Sequence, residues 1–355
     1  MTTAARRRRL RTRLRGERID VCLITAPVSL RYFSGFIGST GLLLVTARQA
    51  TLFLDDRYLE KGRAEARGLT VLPLAGWQDA LHQLAANAGR MLTVAFDEAD
   101  TTVLQARRWQ ELFPELLWRS RGFALAPLRA VKERDELAAQ REAGRRLARA
   151  WSAVRPQLAV GMSERQIAGL LDAAVLQHTG APVPFETIVG SGPHAARPHH
   201  SPSDRVLQRG EALLIDMGAA WHGYSVDMTR MLALSPLPAT VRRAWRVVAA
   251  AQRAALRACR AGVPPRALDL AARRVLRRAG MEAQFTHNLG HGVGLKVHEE
   301  PTVGARNHAP LQAGMVITVE PGVYFPGEFG IRIEDTVVVT AHGAEIITPV
   351  PREQP

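Results

Sequence analysis

The chain is 355 residues long, 46% of its residues are hydrophobic, and its formal net charge is +14. This length predicts two domains of a globular protein, and the presence of only two cysteines, Cys22 and Cys259, excludes a disulfide framework and favours a reducing compartment. With no run of about eighteen apolar residues and no apolar segment behind the first arginines, we expect neither a membrane span nor a secretion signal, and therefore a cytoplasmic protein.

Two arginine-rich segments carry most of the positive charge. Residues 1–20 hold eight arginines and two acidic residues, and residues 242–278 hold eleven arginines and one acidic residue. Such basic segments suggest a nucleic-acid partner. In the second segment, however, Val241, Trp245 and Val248 recur at helical spacing and leave most arginines on other faces. The pattern favours solvated helix faces and predicts no specific nucleic-acid partner, with nucleic-acid binding as the alternative.

Residues 1–125 alternate between helical and strand-like patterns. An arginine-rich helix comes first, and further helical patterns open near Asp55 and Gly76. Short apolar runs predict strands at Val21–Ile24, Leu42–Val45, Thr51–Leu54 and Leu92–Phe96. This alternation predicts an α/β domain, and the segment contains neither a phosphate loop nor a cofactor fingerprint.

A break near Ala126-Pro127-Leu128 leads us to predict one domain at residues 1–126 and another at residues 127–355. The second domain contains a capping box at Ser163-Glu164-Arg165-Gln166, which predicts a helix start. Its elements are predicted as helices at about 132–156 and 163–178, a strand at 187–189, an acidic hairpin at 213–230, helices at 239–260 and 266–278, and acidic strands at 316–338. Two helices followed by an acidic hairpin occur twice, which predicts an α+β fold with an internal pseudo-twofold duplication and a site between its halves.

The first acidic hairpin contains Asp216 and Asp227. Both residues are equally far from the midpoint between Trp221 and His222, so a turn centred there would place them directly opposite each other. Opposed carboxylates repel, and Asp216 lies within an apolar run where an unpaired charge is costly. A bound cation would resolve both problems; the alternative is that one of the acids points into solvent.

Glu320 and Glu334 form a second acidic pair. They are equidistant from Gly327, so they can also face each other on neighbouring strands. Arg332 shares strand parity with Glu334 and should point to the same face. The simplest role for this arginine is to neutralise excess carboxylate charge.

The segment between the two hairpins is rich in histidine and glycine. His287 and His291 are four residues apart, as in a helical zinc motif, but the glycines at 290, 292 and 294 oppose a helix. A glycine-rich loop with one ligating histidine fits better, because glycine permits close backbone approach to metal and substrate. Four carboxylates and one imidazole would balance two divalent ions, and a pair about 3.5–4 Å apart is a recurrent hydrolytic device.

Several separate blocks occur along the chain at 214–218, 227–230, 290–294, 297–301, 319–322 and 331–335. These blocks resemble the creatinase/aminopeptidase-P/methionine-aminopeptidase family, the pita-bread metallopeptidases. Tyr32–Phe36 and Asp56–Tyr58 are similar to the creatinase-type N-terminal domain, so the resemblance covers nearly the whole chain. It implies an α/β creatinase-like N-terminal domain followed by an α+β pita-bread catalytic domain.

The resemblance also implies roles for individual residues. The implied metal ligands are Asp216, Asp227, His291, Glu320 and Glu334. They would hold two divalent ions, with Mn²⁺ preferred over Co²⁺, Zn²⁺ and Fe²⁺. The implied substrate-binding residues are His199, His287 and His298, and the implied catalytic residues are His199, His298, Glu320 and Arg332. Taken alone, the loop around His199 would be typical of solvated surface.

Three departures from the family pattern concern specificity or fine geometry. His200 stands where a small glycine is common, Leu289 where a small hydroxyl residue is common, and Lys296 where an acid is common. None of them removes an implied metal ligand.

Within the family, methionine aminopeptidases generally lack the first domain, and creatinase lacks the ligand set. The Xaa-Pro aminopeptidase or Xaa-Pro dipeptidase (prolidase) branch is therefore predicted, with a peptide carrying proline at its second position as substrate and a homodimer as the assembly. The alternatives are a catalytically inactive member that serves as a binding scaffold and a family hydrolase that acts on a non-prolyl amide. The scaffold is disfavoured because the chain keeps all five implied ligands.

Overall fold

The structure is a computed structural model that describes residues 2–355. The chain forms two compact units, one ending at Leu128 and the other starting at Arg129. Among residues 2–355, no helix combines the length and the apolar character that crossing a bilayer requires.

The first unit is an α/β unit built on one six-stranded sheet. Its helices are α1 (Thr3–Gly16), α2 (Pro27–Ser34), α3 (Leu59–Glu65), α4 (Trp77–Ala88) and α5 (Val103–Leu112). Its strands are β1 (Val21–Ile24), β2 (Leu42–Thr46), β3 (Ala50–Leu54), β4 (Thr70–Pro73), β5 (Thr93–Phe96) and β6 (Leu117–Trp118). The strand order is β4-β3-β2-β1-β5-β6, and the four predicted strands form its central part.

The N-terminal helix departs from the predicted solvated arginine face. Arg6 and Arg7 are buried, with 7% and 4% of their surface exposed. Arg7 donates a hydrogen bond of 2.7 Å to the carbonyl of Phe33, and the Arg6 guanidinium stacks on the Tyr32 ring. These arginines therefore stabilise the contact between α1 and α2, because their long stems and charged ends are both occupied within the unit.

The second unit has an α+β architecture. Helix α6 (Pro127–Ala130) spans the boundary, and the later helices are α7 (Arg134–Val154), α8 (Glu164–Thr179), α9 (Ala239–Ala258) and α10 (Pro265–Arg278). The strands are β7 (Ile188–Ser191), β8 (Ala212–Trp221), β9 (Tyr224–Ala233), β10 (Gly290–Gly292), β11 (Glu299–Val303), β12 (Val316–Val319), β13 (Gly322–Phe325), β14 (Phe329–Arg332), β15 (Asp335–Val339) and β16 (Ala344–Ile346). They form sheets in the orders β7-β8-β9, β11-β10-β12-β15-β16 and β13-β14.

The predicted repeat of two helices followed by acidic strands is present in this order. The capping box at the start of α8 also forms as predicted, with Ser163 and Gln166 exchanging hydrogen bonds. Ile215, Met217 and Met228 pack in one core together with α7 and α8. Because strand side chains alternate in direction, Asp216 and Asp227 point away from this core.

The register of the β8–β9 hairpin differs from the prediction. Its turn is formed by His222 and Gly223, both with positive φ (46° and 73°), which is the conformation of a two-residue type I′ turn. The centre of the hairpin is therefore one residue later than expected. Asp216 pairs with Thr229, and Gly218 pairs with Asp227. The predicted direct opposition of the two aspartates is wrong; they are diagonal neighbours on one face.

The second acidic pair keeps its predicted register. Val319 pairs with Asp335 in the β12–β15 ladder, and Gly322 pairs with Arg332 in the β13–β14 ladder. Between these two ladders, Glu320 lies across from Glu334, each in a short break between strands. The symmetry about Gly327 therefore gives the correct pairing.

The glycine-rich segment is partly a strand, in contrast to the predicted loop. Strand β10 lies between β11 and β12 in the five-stranded sheet. A Cβ atom at position 290 would lie 2.2 Å from the Thr318 carbonyl oxygen, and one at position 292 would lie 2.2 Å from that of Glu300. The glycines are thus required by neighbouring backbone, whereas the expected reason was approach to metal and substrate.

Candidate metal centre

Asp216, Asp227, Glu320 and Glu334 converge on one site in the second unit. Ligand atoms of Asp227, His291 and Glu334 lie within 4.8 Å of one another. The His291 Nε2 atom is 3.5 Å from Glu320 Oε1 and 3.8 Å from Asp227 Oδ2. The structure therefore brings together four carboxylates and one imidazole from both acidic hairpins and from β10.

Burial and mutual repulsion raise the pKa of these acids. Burial raises the pKa of Asp227 well above its usual value, and the charges of Glu334, Asp216 and Glu320 add to the effect. Burial also raises the pKa of Glu334 well above its usual value, and the charges of Glu320 and Asp216 add to this shift. Burial raises the pKa of Glu320 to about 8, although Arg332 opposes this shift. Carboxylates placed in this way are not stable together in the ionised form without added positive charge.

The donor set of this site fits divalent cations. The Asp216 Oδ1, Asp227 Oδ1 and Glu334 Oε1 atoms are buried and have no hydrogen-bond partner among residues 2–355. Buried charged oxygens require a partner, and several oxygens with one imidazole suit ions such as Mn²⁺, Co²⁺, Fe²⁺ or Zn²⁺.

The tautomer of His291 also suits metal binding. Its Nδ1 atom lies 3.0 Å from the Gly292 carbonyl oxygen, which can only accept, so Nδ1 carries the hydrogen. Burial, together with the charge of His298, lowers the pKa of His291 to about 4. The ring is therefore neutral at pH 7, and the lone pair of Nε2 faces the carboxylates. A backbone carbonyl that fixes the other ring nitrogen is common for metal-ligating histidines.

Arg332 connects the acids to a second part of the site. Its guanidinium donates to Asp216 Oδ2 at 2.6 Å, to Thr229 Oγ1 at 3.0 Å and to the Tyr324 hydroxyl at 2.9 Å. The side chain is 4% exposed, so these bonds form away from solvent. Arg332 therefore lies on the acidic face, as its strand parity with Glu334 predicts.

Tyr324 links Arg332 to His287. The His287 Nδ1 atom donates to the Asn288 carbonyl at 2.8 Å, and Nε2 lies 3.0 Å from the Tyr324 hydroxyl. Burial raises the pKa of Tyr324 to about 12, and burial lowers the pKa of His287 to about 4. A protonated phenol therefore donates to a neutral imidazole. Tyr324 was not among the predicted site residues, although its strand parity with Glu320 was a usable signal.

His199 and His298 border the same site from more exposed positions. The His298 ring centroid is 4.1 Å from that of His291. Burial lowers the pKa of His298, and repulsion from His199 lowers it further. The charge of His199 also contributes to the lowered pKa of His287. The implied metal ligands and the implied substrate-binding and catalytic residues therefore lie in one region of the second unit.

The three departures from the family pattern occupy different environments. Leu289 is buried in the core, and its carbonyl accepts a hydrogen bond of 2.8 Å from the amide of Glu320. Lys296 is exposed, and its amide donates to Glu299. His200 is buried and contacts Glu164, in a cluster that the sequence analysis did not identify.

The fold and site together define a metallopeptidase of the pita-bread class with a creatinase-type N-terminal domain. The family model "Metallopeptidase family M24" matches residues 138–341, and "Creatinase/Prolidase N-terminal domain" matches residues 6–131. The chain belongs to metallopeptidase family M24. The predicted family and fold class are thereby confirmed.

Several relatives and solved structures agree with this assignment. "Probable dipeptidase PepE" of Mycobacterium tuberculosis is 42% identical over 230 residues, which is 64% of this chain and 61% of that protein. The chain thus matches less than two thirds of the length of the mycobacterial dipeptidases. The "Xaa-Pro dipeptidase" of Pyrococcus furiosus is 31% identical over 94% of this chain and 95% of that protein. The structure of the X-Pro aminopeptidase from Thermotoga maritima superposes with a TM-score of 0.90, at 34% identity and 98% coverage of both chains.

Proposed function

We propose that this protein is a dinuclear metal-dependent Xaa-Pro peptidase, which hydrolyses the peptide bond before a proline at the second position. The observation that carries the proposal is the set of buried carboxylates around the neutral His291, three of which have an oxygen without a partner. Relatives named as an Xaa-Pro dipeptidase and an X-Pro aminopeptidase support the prolyl substrate.

The proposed ligands of the two divalent ions, with Mn²⁺ preferred, are Asp216, Asp227, His291, Glu320 and Glu334. When bound, the ions would supply Lewis acidity and make a water molecule more acidic. Arg332 would keep Asp216 oriented, because its short hydrogen bond occupies only one of the two carboxylate oxygens and leaves Oδ1 available.

Glu320 is proposed to accept the proton of the attacking water. Its Oε1 atom accepts a hydrogen bond of 3.2 Å from Thr318, which orients the carboxylate. Burial raises the pKa of Glu320 to about 8 in the metal-free protein. Bound cations would lower this pKa and keep Glu320 ionised, which is the form that accepts a proton.

His199 and His298 are proposed to contact the substrate and to stabilise the oxyanion that forms on the carbonyl oxygen when water attacks the carbonyl carbon. A well-placed donor of this kind contributes roughly 3–4 kcal/mol to transition-state stabilisation. His287 is proposed to bind the peptide, since Tyr324 and Asn288 hold its ring in one orientation.

The proposal includes a homodimer in the cytoplasm without a specific nucleic-acid partner. Two arginines of α1 are buried within the first unit, which agrees with a structural role for part of the arginine excess. The division into functional domains at residues 126 and 127 stays a prediction.

The test is an assay of purified, metal-stripped protein that is reloaded with Mn²⁺, Co²⁺ or Zn²⁺. We expect hydrolysis of Xaa-Pro dipeptides or Xaa-Pro-Yaa tripeptides only after reloading, and no comparable hydrolysis of matched Xaa-Ala peptides. Equal turnover of proline and alanine peptides would favour the non-prolyl hydrolase. Metal binding without turnover of any peptide would favour the inactive scaffold, and full activity in protein free of metal would contradict the dinuclear centre.

A further inference from the structure

Glu164 is a buried carboxylate outside the candidate metal centre. It is the first residue of α8, and its side chain is 0% exposed. Its Oε1 atom accepts hydrogen bonds from the amide and the hydroxyl of Ser191, at 2.9 and 2.8 Å. Its Oε2 atom accepts hydrogen bonds from the amide and the hydroxyl of Ser203, at 3.2 and 2.7 Å. One side chain therefore binds both ends of the segment 191–203.

Two histidines complete the surroundings of Glu164. His200 Nε2 lies 2.8 Å from Oε2, and His194 Nδ1 lies 3.1 Å from both oxygens. Burial alone would raise the pKa of Glu164, but the hydrogen bonds from His200, Ser203, Ser191 and His194 outweigh it and lower the pKa to about 2. Because an ionised carboxylate only accepts, the contacting nitrogens of both histidines carry hydrogens.

The number of donors favours hydrogen bonding over metal binding at this cluster. Glu164, His194 and His200 offer three ligand atoms within 4.8 Å of one another. However, each Glu164 oxygen already accepts three or more hydrogen bonds, whereas the acids of the candidate metal centre keep oxygens without partners. The charge of Glu164 is thus balanced by donors from the segment that it holds.

The segment held by Glu164 contains His199. The Pro198 carbonyl accepts a hydrogen bond of 3.2 Å from Arg332 Nη1, and the other end of that guanidinium binds Asp216. His200, the residue on the other side of His199, is bound to Glu164. The backbone of His199 is therefore held on one side by the metal-centre arginine and on the other side by the Glu164 cluster.

We propose that Glu164 and His200 are positioning residues that hold His199 where it can contact the substrate. The proposal rests on the proposed function and deepens it, because it gives the buried His200 a role in placing a residue that contacts the substrate. His200 acts through His199 and does not itself contact substrate.

The first experiment is a double-mutant cycle between His200→Ala and His199→Ala on an Xaa-Pro peptide. A misplaced catalytic group can cost about 10²-fold in rate, so we expect His200→Ala to lower kcat/KM about 10–100-fold, with unchanged metal content. In the His199→Ala background the same change should have less than about a twofold effect, since the group that it positions is gone. Equal losses in both backgrounds would overturn the proposal. The matched control is His342→Ala, which changes a histidine at an exposed loop position.

The second experiment does not depend on activity. Amide hydrogen exchange of residues 192–203 is measured by mass spectrometry in metal-loaded Glu164→Gln and His200→Ala, with Glu111→Gln as the control for an exposed glutamate. We expect at least about tenfold faster exchange of this segment in both variants, with α9 unchanged as evidence of an intact fold. Wild-type protection in His200→Ala would overturn the proposal whether or not the protein cleaves prolyl peptides. Absence of wild-type turnover would instead contradict only the proposed function.

Discussion

The candidate metal centre and the cluster around Glu164 both bury carboxylates beside histidines, yet the pKa values of their acids shift in opposite directions. In the metal centre, burial and neighbouring carboxylates raise the pKa of Asp227 and Glu334. At Glu164, hydrogen bonds overcome the effect of burial and lower the pKa to about 2. The difference lies in the donors, because Glu164 is surrounded by N–H and O–H groups while the other acids mainly face one another.

The hydrogen bonds of a buried carboxylate therefore indicate whether it needs a bound cation. A carboxylate with all its lone pairs occupied needs no cation and serves to hold chain segments together. Carboxylates that keep buried oxygens without partners are stable in the ionised form only when a cation is bound. The two clusters should therefore respond differently to metal removal, to substitution and to pH.

The largest expected effect is the loss of activity on metal removal. Chelation should abolish peptide hydrolysis and lower the Tm, since a ligand that binds only the folded state stabilises it. His291→Ala should lower metal content and activity together, as measured by elemental analysis and peptide assay. The Glu164→Gln variant should keep its metals. A His291→Ala protein with both metals and full activity would place the centre elsewhere.

The next effect concerns the histidines that are proposed to contact the substrate. His298→Ala should keep both metals and the fold but lower kcat by about 10²–10³-fold, the scale for losing one transition-state donor. His199→Ala should behave similarly, with a larger rise in KM if it mainly positions the peptide. Metal content is measured beside the kinetics. If His298→Ala loses a metal while His291→Ala retains both, the roles of ligand and catalyst are reversed.

Glu164→Gln should destabilise the folded protein by about 2–4 kcal/mol at pH 7, because a buried charged acceptor loses strong hydrogen bonds. The folded-state pKa of about 2 lies below the usual value of 4.5, so this stabilisation is present above pH 4.5 and is lost as the pH falls towards 2. Denaturant unfolding of wild type and variant across this pH range measures the difference. An equal difference at pH 2 and pH 7 would argue against a charge effect.

The smallest expected effect has the opposite sign. In metal-free protein, Asp227→Asn should raise the free energy of unfolding by about 1–2 kcal/mol at pH 8, because it removes a buried carboxylate that repels its neighbours. Since the folded-state pKa of Asp227 is raised, metal-free wild type should lose stability as the pH rises, and the variant should lose less. Denaturant unfolding with and without Mn²⁺ measures this effect. Destabilisation of the metal-free variant would contradict the repulsion.

Much of the fold and of the candidate site could be predicted from local patterns in the sequence. Apolar runs predicted the central strands of the first unit, and the capping box predicted the start of α8. Strand parity placed Arg332 on the acidic face, and symmetry about Gly327 paired Glu320 with Glu334. These features depend on side-chain alternation and short-range hydrogen bonds, which neighbouring residues determine.

Other features were decided only by the tertiary structure. The positive φ angles at His222 and Gly223 moved the hairpin register by one residue, and pairing with β11 and β12 made β10 a strand. The cluster of Glu164, His194 and His200 joins a helix start to a loop far along the chain. No local periodicity in the sequence predicts such a contact. Local sequence determines which way a side chain points along its own element, but the partner that it meets depends on how distant elements pack.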